Sequence, residues 1–188
     1  MKLFVISDTH GSLSAFKKAL EAFEKEQADF IIHCGDYLNH GPRNPLPQGY
    51  NTKALAEKLN DYKEKIISVR GNCDSEVDQM LLQFPCLESF NRLFFSTNSE
   101  PYCCFIHHGH LFTQETLPKS TYKTVYISGH THVPLLEQKE KTVFLNPGSV
   151  ALPKQESQPS YGIIEQKENQ LVISLKTLEG ITYKSLVF

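Results

Sequence analysis

The chain has 188 residues, 40% of them hydrophobic and 21% charged, a composition that supports one folded domain and excludes disorder as the main state. At this length roughly 70% of the unfolded surface can be buried, so no staple is needed to hold a core. Nineteen basic residues stand against 21 acidic ones, a net charge of −2, which removes the electrostatic footprint of a general nucleic-acid-coating protein.

Met1–Ile6 offers six residues before Ser7-Asp8, too few for the apolar core of a signal peptide. No apolar run approaches the ~20 residues that a membrane span needs. Leu3–Ile6 reads as a buried parallel strand ending at a polar tip. Ser12 or Ser14 is placed to cap a helix whose Leu13, Phe16, Ala19, Leu20 and Phe23 follow helical spacing. Phe30-Ile31-Ile32 predicts a second strand, ending at Gly35-Asp36. A loop rich in Gly, Pro and Asn runs from Asn39 to Asn51, and Thr52 opens a helix with Leu55, Ala56, Leu59 and Tyr62 on one face. Ile66–Val69 predicts a third strand, ending at Gly71-Asn72. Such a β-α-β-α-β opening predicts a sheet with helices on its faces.

Beyond residue 90 the texture changes. Segments 92–96, 102–107, 124–128, 142–145, 161–165, 171–175 and 182–187 all read as strands, and helix signals are sparse. The switch predicts a second sheet packed on the first, within a single α/β domain spanning 1–188. The five cysteines are odd in number, and Cys103 and Cys104 are adjacent. No disulfide framework is expected, and the reducing cytoplasm is the expected compartment. Cys34, Cys86, Cys103 and Cys104 read as small buried hydrophobes.

Five of the eight histidines fall in two short clusters, His107-His108-Gly109-His110 and Gly129-His130-Thr131-His132. Strand after strand ends in a metal-type ligand: Asp8 and His10, then Asp36, then Asn72, then His108, then His130 and His132. In open α/β sheets the carboxyl ends of strands face the ligand crevice, so these side chains can converge across large sequence separations. Singly, each motif has an ordinary structural explanation: a turn, a helix cap, a satisfied core histidine. Seven oxygen and nitrogen donors in that order are hard to explain as coincidence.

Asp8-Thr9-His10, Gly35-Asp36, Gly71-Asn72-Cys73-Asp74, His108-Gly109-His110 and Gly129-His130-Thr131-His132 resemble the motifs of the calcineurin-like metallophosphoesterases. Asn39-His40-Gly41-Pro42-Arg43, Gly71–Glu76 and Asn146-Pro147-Gly148-Ser149 resemble more narrowly the YfcE-type bacterial phosphodiesterases. The resemblance covers essentially the whole chain. It implies a four-layer α/β/β/α sandwich of two mixed β-sheets flanked by helices, with two divalent metals at the strand ends. One metal would be held by Asp8, His10, Asp36 and His132, and the other by Asp36, Asn72, His108 and His130, with Asp36 bridging. The mixed donor set suits manganese, iron, cobalt or zinc better than calcium, and the resemblance implies manganese foremost. The implied activity is hydrolysis of a small phosphodiester by a dimetal-activated hydroxide, without a covalent intermediate. A dimer or tetramer is a further implication of the resemblance.

Many relatives place a histidine after the asparagine to protonate the leaving group. Here Cys73 occupies that position, and a thiol of reference pKa about 8.5 is a poor stand-in for an imidazole acid. His40 is the alternative proton donor, and Asp74 is expected to orient a neighbour rather than bind metal. Arg43 and Arg70 are candidate phosphate holders, and His110 is a candidate for a place behind or beside the metals. His33 and His107 read as packed or surface residues, and Asn146–Ser149 as the rim of the site. Two other readings compete: a phosphomonoesterase or nucleotidase of the same fold, and a non-catalytic scaffold like the retromer subunit that resembles it. Filled metal positions argue against the scaffold.

Overall fold

In the computed structural model, residues 1–96 and 101–188 are described. The N-terminal part runs β1 (Lys2–Ile6), α1 (Leu13–Glu26), β2 (Phe30–His33), α2 (Thr52–Asn60), β3 (Ile66–Ser68) and α3 (Glu76–Leu81). Eight further strands follow: β4 (Phe90–Phe95), β5 (Tyr102–His107), β6 (Lys123–Ile127), β7 (Leu135–Lys139), β8 (Thr142–Asn146), β9 (Ser160–Lys167), β10 (Gln170–Thr177) and β11 (Thr182–Val187). None of the described helices is long and apolar enough to cross a membrane.

Two mixed sheets form, in the orders β11-β10-β9-β1-β2-β3 and β4-β5-β6-β8-β7. In the first, β1, β2 and β3 are parallel, with Ile6 opposite His33 and His33 opposite Ser68. In the second, β5, β6 and β8 are parallel. The texture change near residue 90 therefore does not mark one continuous switch of sheet. Strands β9–β11 return to the first sheet, where β9 lies antiparallel to β1 with Ile164 opposite Leu3. That pairing is non-local, and no local pattern announces it. Helix α3 and strand β7 are elements that the hydrophobic pattern does not predict. The first is a six-residue helix held by a capping box between Ser75 and Asp78, and the second is a half-exposed edge strand.

Alternation along the strands divides the core in two. Leu3, Val5, Ile32 and Ile164 point between the sheets, while Phe4, Ile6, Ile31 and Ile163 point to the helices. Helix α1 contributes Phe16, Ala19, Leu20 and Phe23 to that second layer, and α2 contributes Leu55, Ala56 and Leu59. The cap of α1 is Ser12, whose side chain accepts from Ala15 N–H, whereas Ser14 lies within the helix. The end of α3 is tied to α2 by Asn60 donating to Leu81 O. The sheets are thus flanked by helices as expected, but the helices gather on the first sheet's free face. Segment 111–122 runs over the second sheet instead: Tyr126 donates to Pro118 O, and Phe105 meets Phe112 edge to face.

Neither apolar layer contains a candidate ligand, so core and site are energetically separable. Ile164 is fully buried between the sheets. Ile164→Ala should lower unfolding stability by about 2–5 kcal/mol, read from urea denaturation, while leaving divalent-metal affinity unchanged.

Candidate metal centre

The parallel strands of both sheets deliver their carboxyl ends to one edge of the sandwich. Asp8 follows β1, Asp36 follows β2, Asn72 follows β3, His108 follows β5, and His130 and His132 follow β6. Hydrogen bonds stitch the two sets of ends together. Asp8 Oδ2 accepts from His130 N–H at 3.1 Å, Asp8 O accepts from Ser149 Oγ at 2.8 Å, and Gly129 N–H donates to His108 O at 2.8 Å.

The backbone is forced where the ligands stand. Asp8, His10, Asp36, His130 and His132 all have φ between 45° and 67°, a region that non-glycine residues visit rarely and at some cost. The turn geometry aims side chains back over the strand ends. Gly71 and Gly129 complete the approach, since a Cβ at Gly71 would strike Asp36 and one at Gly129 would strike Ser7 and Asp8.

Three imidazoles are oriented in the same way. His10 Nδ1 lies 2.8 Å from Asn39 O, His108 Nδ1 2.7 Å from Cys34 O, and His132 Nδ1 2.6 Å from Leu152 O. A carbonyl only accepts, so each Nδ1 carries a proton and each ring turns its Nε2 inward, free to ligate once that nitrogen is deprotonated. His10 and His132 bring those nitrogens within 3.1 Å of each other, and His132 Nε2 is 3.3 Å from Asp8 Oδ1. Asp8 Oδ1 is buried without a hydrogen-bond donor. Asp36 Oδ2 lies 3.6 Å from His10 Nε2 and 3.5 Å from His108 Nε2, between the two halves of the cluster. Its Oδ1 accepts from Cys73 N–H at 2.8 Å. His108 Nε2 is also 3.2 Å from Asn72 Oδ1, and the His108 and His130 rings lie 5.1 Å apart.

The protonation equilibria follow from burial working against charge pairing. Burial opposes the charge on Asp8, but His10 and His132 hold its carboxyl well below the usual range. Burial alone would lower His108; its bond to Asp36 and the nearby carboxylate charges raise it to about 9. Converging Nε2 atoms, an undonated carboxylate oxygen and two buried carboxylates form a pocket that draws positive charge, here a proton on His108 that a metal ion would displace. Divalent cations of borderline hardness fit that donor set.

The calcineurin-like phosphoesterase superfamily domain matches residues 1–169. The chain belongs to that family. Phosphodiesterase YfcE of Escherichia coli K12 is 47% identical over 165 residues, 88% of each chain. The solved structure of Yfce, a phosphoesterase from E. coli, superposes with a TM-score of 0.91 at 42% identity, covering 99% of this chain and 98% of that one. Vacuolar Protein Sorting 29 from Cryptosporidium parvum superposes with a TM-score of 0.63 at 16% identity, covering 100% and 97%, a likeness of fold alone. Family membership implies divalent metal ions, and the cluster above is a candidate site for them.

Within this metallophosphoesterase site Asp74 is a brace. Its carboxylate accepts from Asp36 N–H, Tyr37 N–H and Gly71 N–H at 2.7–2.8 Å, locking the turn after β2 to the turn after β3. Burial and the neighbouring Asp36 charge push it up to about 7 against the pull of those donors. Cys73 is half-buried, and burial together with the Asp36 charge pushes its thiol up to about 12. His40 stands apart: its ring packs edge to face on Tyr50, and it does not line the cavity over the ligands. Arg70 donates to Asp74 O and reaches Glu76, so it braces the loop rather than facing the cavity. His110 packs beside His108 and His130. His107 is buried among Phe105 and Phe112, and Asn146 ties the rim by donating to Gly129 O.

A cavity of about 370 Å³ opens over the ligands, lined by Asp36, Arg43, Asn44, Asn72, His130, Thr131, His132 and Lys154. Lys154 was not legible as a site residue, because a lysine in a Pro-Lys-Gln-Glu stretch looks like any solvated loop.

His33 supports the Asp36 turn from below. Its Nδ1 accepts from Gly35 N–H at 3.2 Å, and its Nε2–H faces Thr9 Oγ1 at 3.2 Å, which itself donates to Tyr37 O. Complete burial pulls this imidazole down to about 3. The unfolded chain takes up a proton near pH 6.5 that the folded chain refuses, so this contribution is intact above pH 6.5 and is lost on acidification. Between pH 6.5 and 5 stability should fall about 2 kcal/mol more steeply in the parent chain than in His33→Gln, measured by urea unfolding at each pH.

Proposed function

We propose that this protein is a metal-dependent phosphodiesterase acting on small diesters, with manganese as its resident ion and the reducing cytoplasm as its place of work. The observation that supports it most is the common setting of His10, His108 and His132. Each spends its Nδ1 proton on a backbone carbonyl and aims Nε2 at the Asp8 and Asp36 carboxylates. One ion would be held by Asp8, His10, Asp36 and His132, and a second by Asp36, Asn72, His108 and His130. When bound, such ions supply Lewis acidity, neutralising phosphoryl charge and acidifying water to near neutral pH.

The chain's own residues then set the rest of the chemistry. Asp36 offers Oδ2 to both halves of the cluster while Cys73 N–H holds its other oxygen, so it is the residue on which both ion sites depend. Asp74 fixes the turns that carry Asp36 and Asn72. Cys73 is a poor candidate nucleophile, because burial and the neighbouring Asp36 charge push its thiol up to about 12 in the ion-free site. That favours direct attack by water over a phosphocysteine intermediate. Cys73 is equally a weak acid, and His40 faces Tyr50 rather than the cavity, so neither delivers a proton to the departing oxygen. Substrates that leave unaided are therefore favoured, which fits aryl or similarly acidic diesters better than alkyl esters.

Three measurements test this. Chelator-stripped protein should lose diester turnover and regain it with Mn²⁺, while its far-ultraviolet circular dichroism stays unchanged. Asp36→Asn should lower activity more than about 100-fold, beyond the usual effect of changing a residue behind the ligands. Full-rate turnover by the stripped protein would overturn the metal mechanism. Across substituted phenyl diesters the rate should rise steeply as leaving-group pKa falls, and a flat series with chemistry limiting would show that a proton donor has been missed.

A further inference from the structure

Two cations face the cavity without counter-ions. Arg43 enters from the loop after β2 and Lys154 from the loop after β8. Among the described residues neither has a carboxylate within ion-pair distance, whereas Lys2 and Lys176 share Glu26 and Arg70 reaches Glu76. Asp36 is the only carboxylate among the residues lining the cavity.

Both cations rise from braced backbone. Lys154 N–H donates to His132 O at 3.3 Å, and Lys154 O accepts from Ser157 N–H at 3.1 Å and Ser157 Oγ at 2.6 Å. His132 Nδ1 meets Leu152 O two residues earlier, so one loop both orients a ligand and roots the lysine. Gln155 and Glu156 follow with φ of 52° and 59°, turning the chain sharply just past it. On the other side Gly41 N–H donates to Asn39 Oδ1 and Asn44 Nδ2 donates to His40 O, each at 2.8 Å. Arg43, Asn44 and Asn72 also line an adjoining depression of about 390 Å³, so two arms of a substrate have room on either side of them. Fixed roots reduce what must be ordered when an anion arrives.

The charge on a diester's reacting phosphate is a single negative one, and ions at the ligand cluster already answer it. Two further unpaired cations match a second anionic group on the part of the substrate that does not react. We propose that Arg43 and Lys154 clamp the non-reacting arm of the substrate and select diesters that carry a second phosphate, as a terminally phosphorylated nucleotide unit does. The guanidinium offers a bidentate fork to such a phosphate, and the ammonium a mobile point charge. This selection rests on the phosphodiesterase reading above.

The test compares two esters of identical reacting chemistry, thymidine 5′-(p-nitrophenyl phosphate) and the same compound bearing a 3′-phosphate, with Mn²⁺ supplied. In the parent chain the 3′-phosphorylated ester should show a KM about fivefold lower at similar kcat, an effect within reach of two exposed charge pairs. The advantage should shrink at high ionic strength, vanish in Lys154→Gln and in Arg43→Gln, and survive in Lys154→Arg. Equal KM values for the parent, or an advantage that persists in both Gln variants, would overturn the clamp while leaving the diesterase reading intact. If the parent hydrolysed neither ester, the diesterase reading would fall and the selection with it.

Discussion

Three carboxylates, Asp8, Asp36 and Asp74, are buried together where the ends of two sheets meet, and everything near them answers that constraint. An unpaired buried carboxylate costs several kcal/mol, so each must find donors or cations. Asp74 is satisfied by three backbone N–H groups from two turns. Asp8 and Asp36 take one backbone N–H each and otherwise face imidazole nitrogens. The negative charge left over is what makes the cluster a receptor for cations.

Holding that arrangement demands an uncomfortable backbone. Five of the seven expected ligands take left-handed φ values, and Gly71 and Gly129 stand where any side chain would collide with a carboxylate or its neighbour. Strain of this kind persists where the surroundings over-determine it. Here the surroundings are two apolar layers that contain no ligand. The sheets are stable for reasons unrelated to the metal, and the turns at their ends carry the cost of function.

Cys73 holds the position after Asn72, where the resemblance leads one to expect a histidine. A thiol pushed up by burial and by Asp36 is a poor acid beside an imidazole, so on this reading catalysis leans on charge neutralisation and on the substrate's own leaving group. With less chemistry supplied at the departing oxygen, binding away from phosphorus gains importance, and the unpaired Arg43 and Lys154 stand in that region.

The sequence by itself determined the strands that open the chain, a helix capped at Ser12 or Ser14, and the run of Asp, Asn and His residues at strand ends. These signals are local: hydrophobic period, cap chemistry, and short motifs whose residue types are costly to bury without a partner. Only the tertiary structure decided that β9 pairs with β1, that His10, His108 and His132 spend Nδ1 on carbonyls far away in sequence, and that His40 turns to Tyr50. Only it placed Lys154 over the cluster, through a bond to His132. Those outcomes depend on contacts between segments separated by tens of residues, and no local pattern of side chains encodes which carbonyl or which ring will be waiting there.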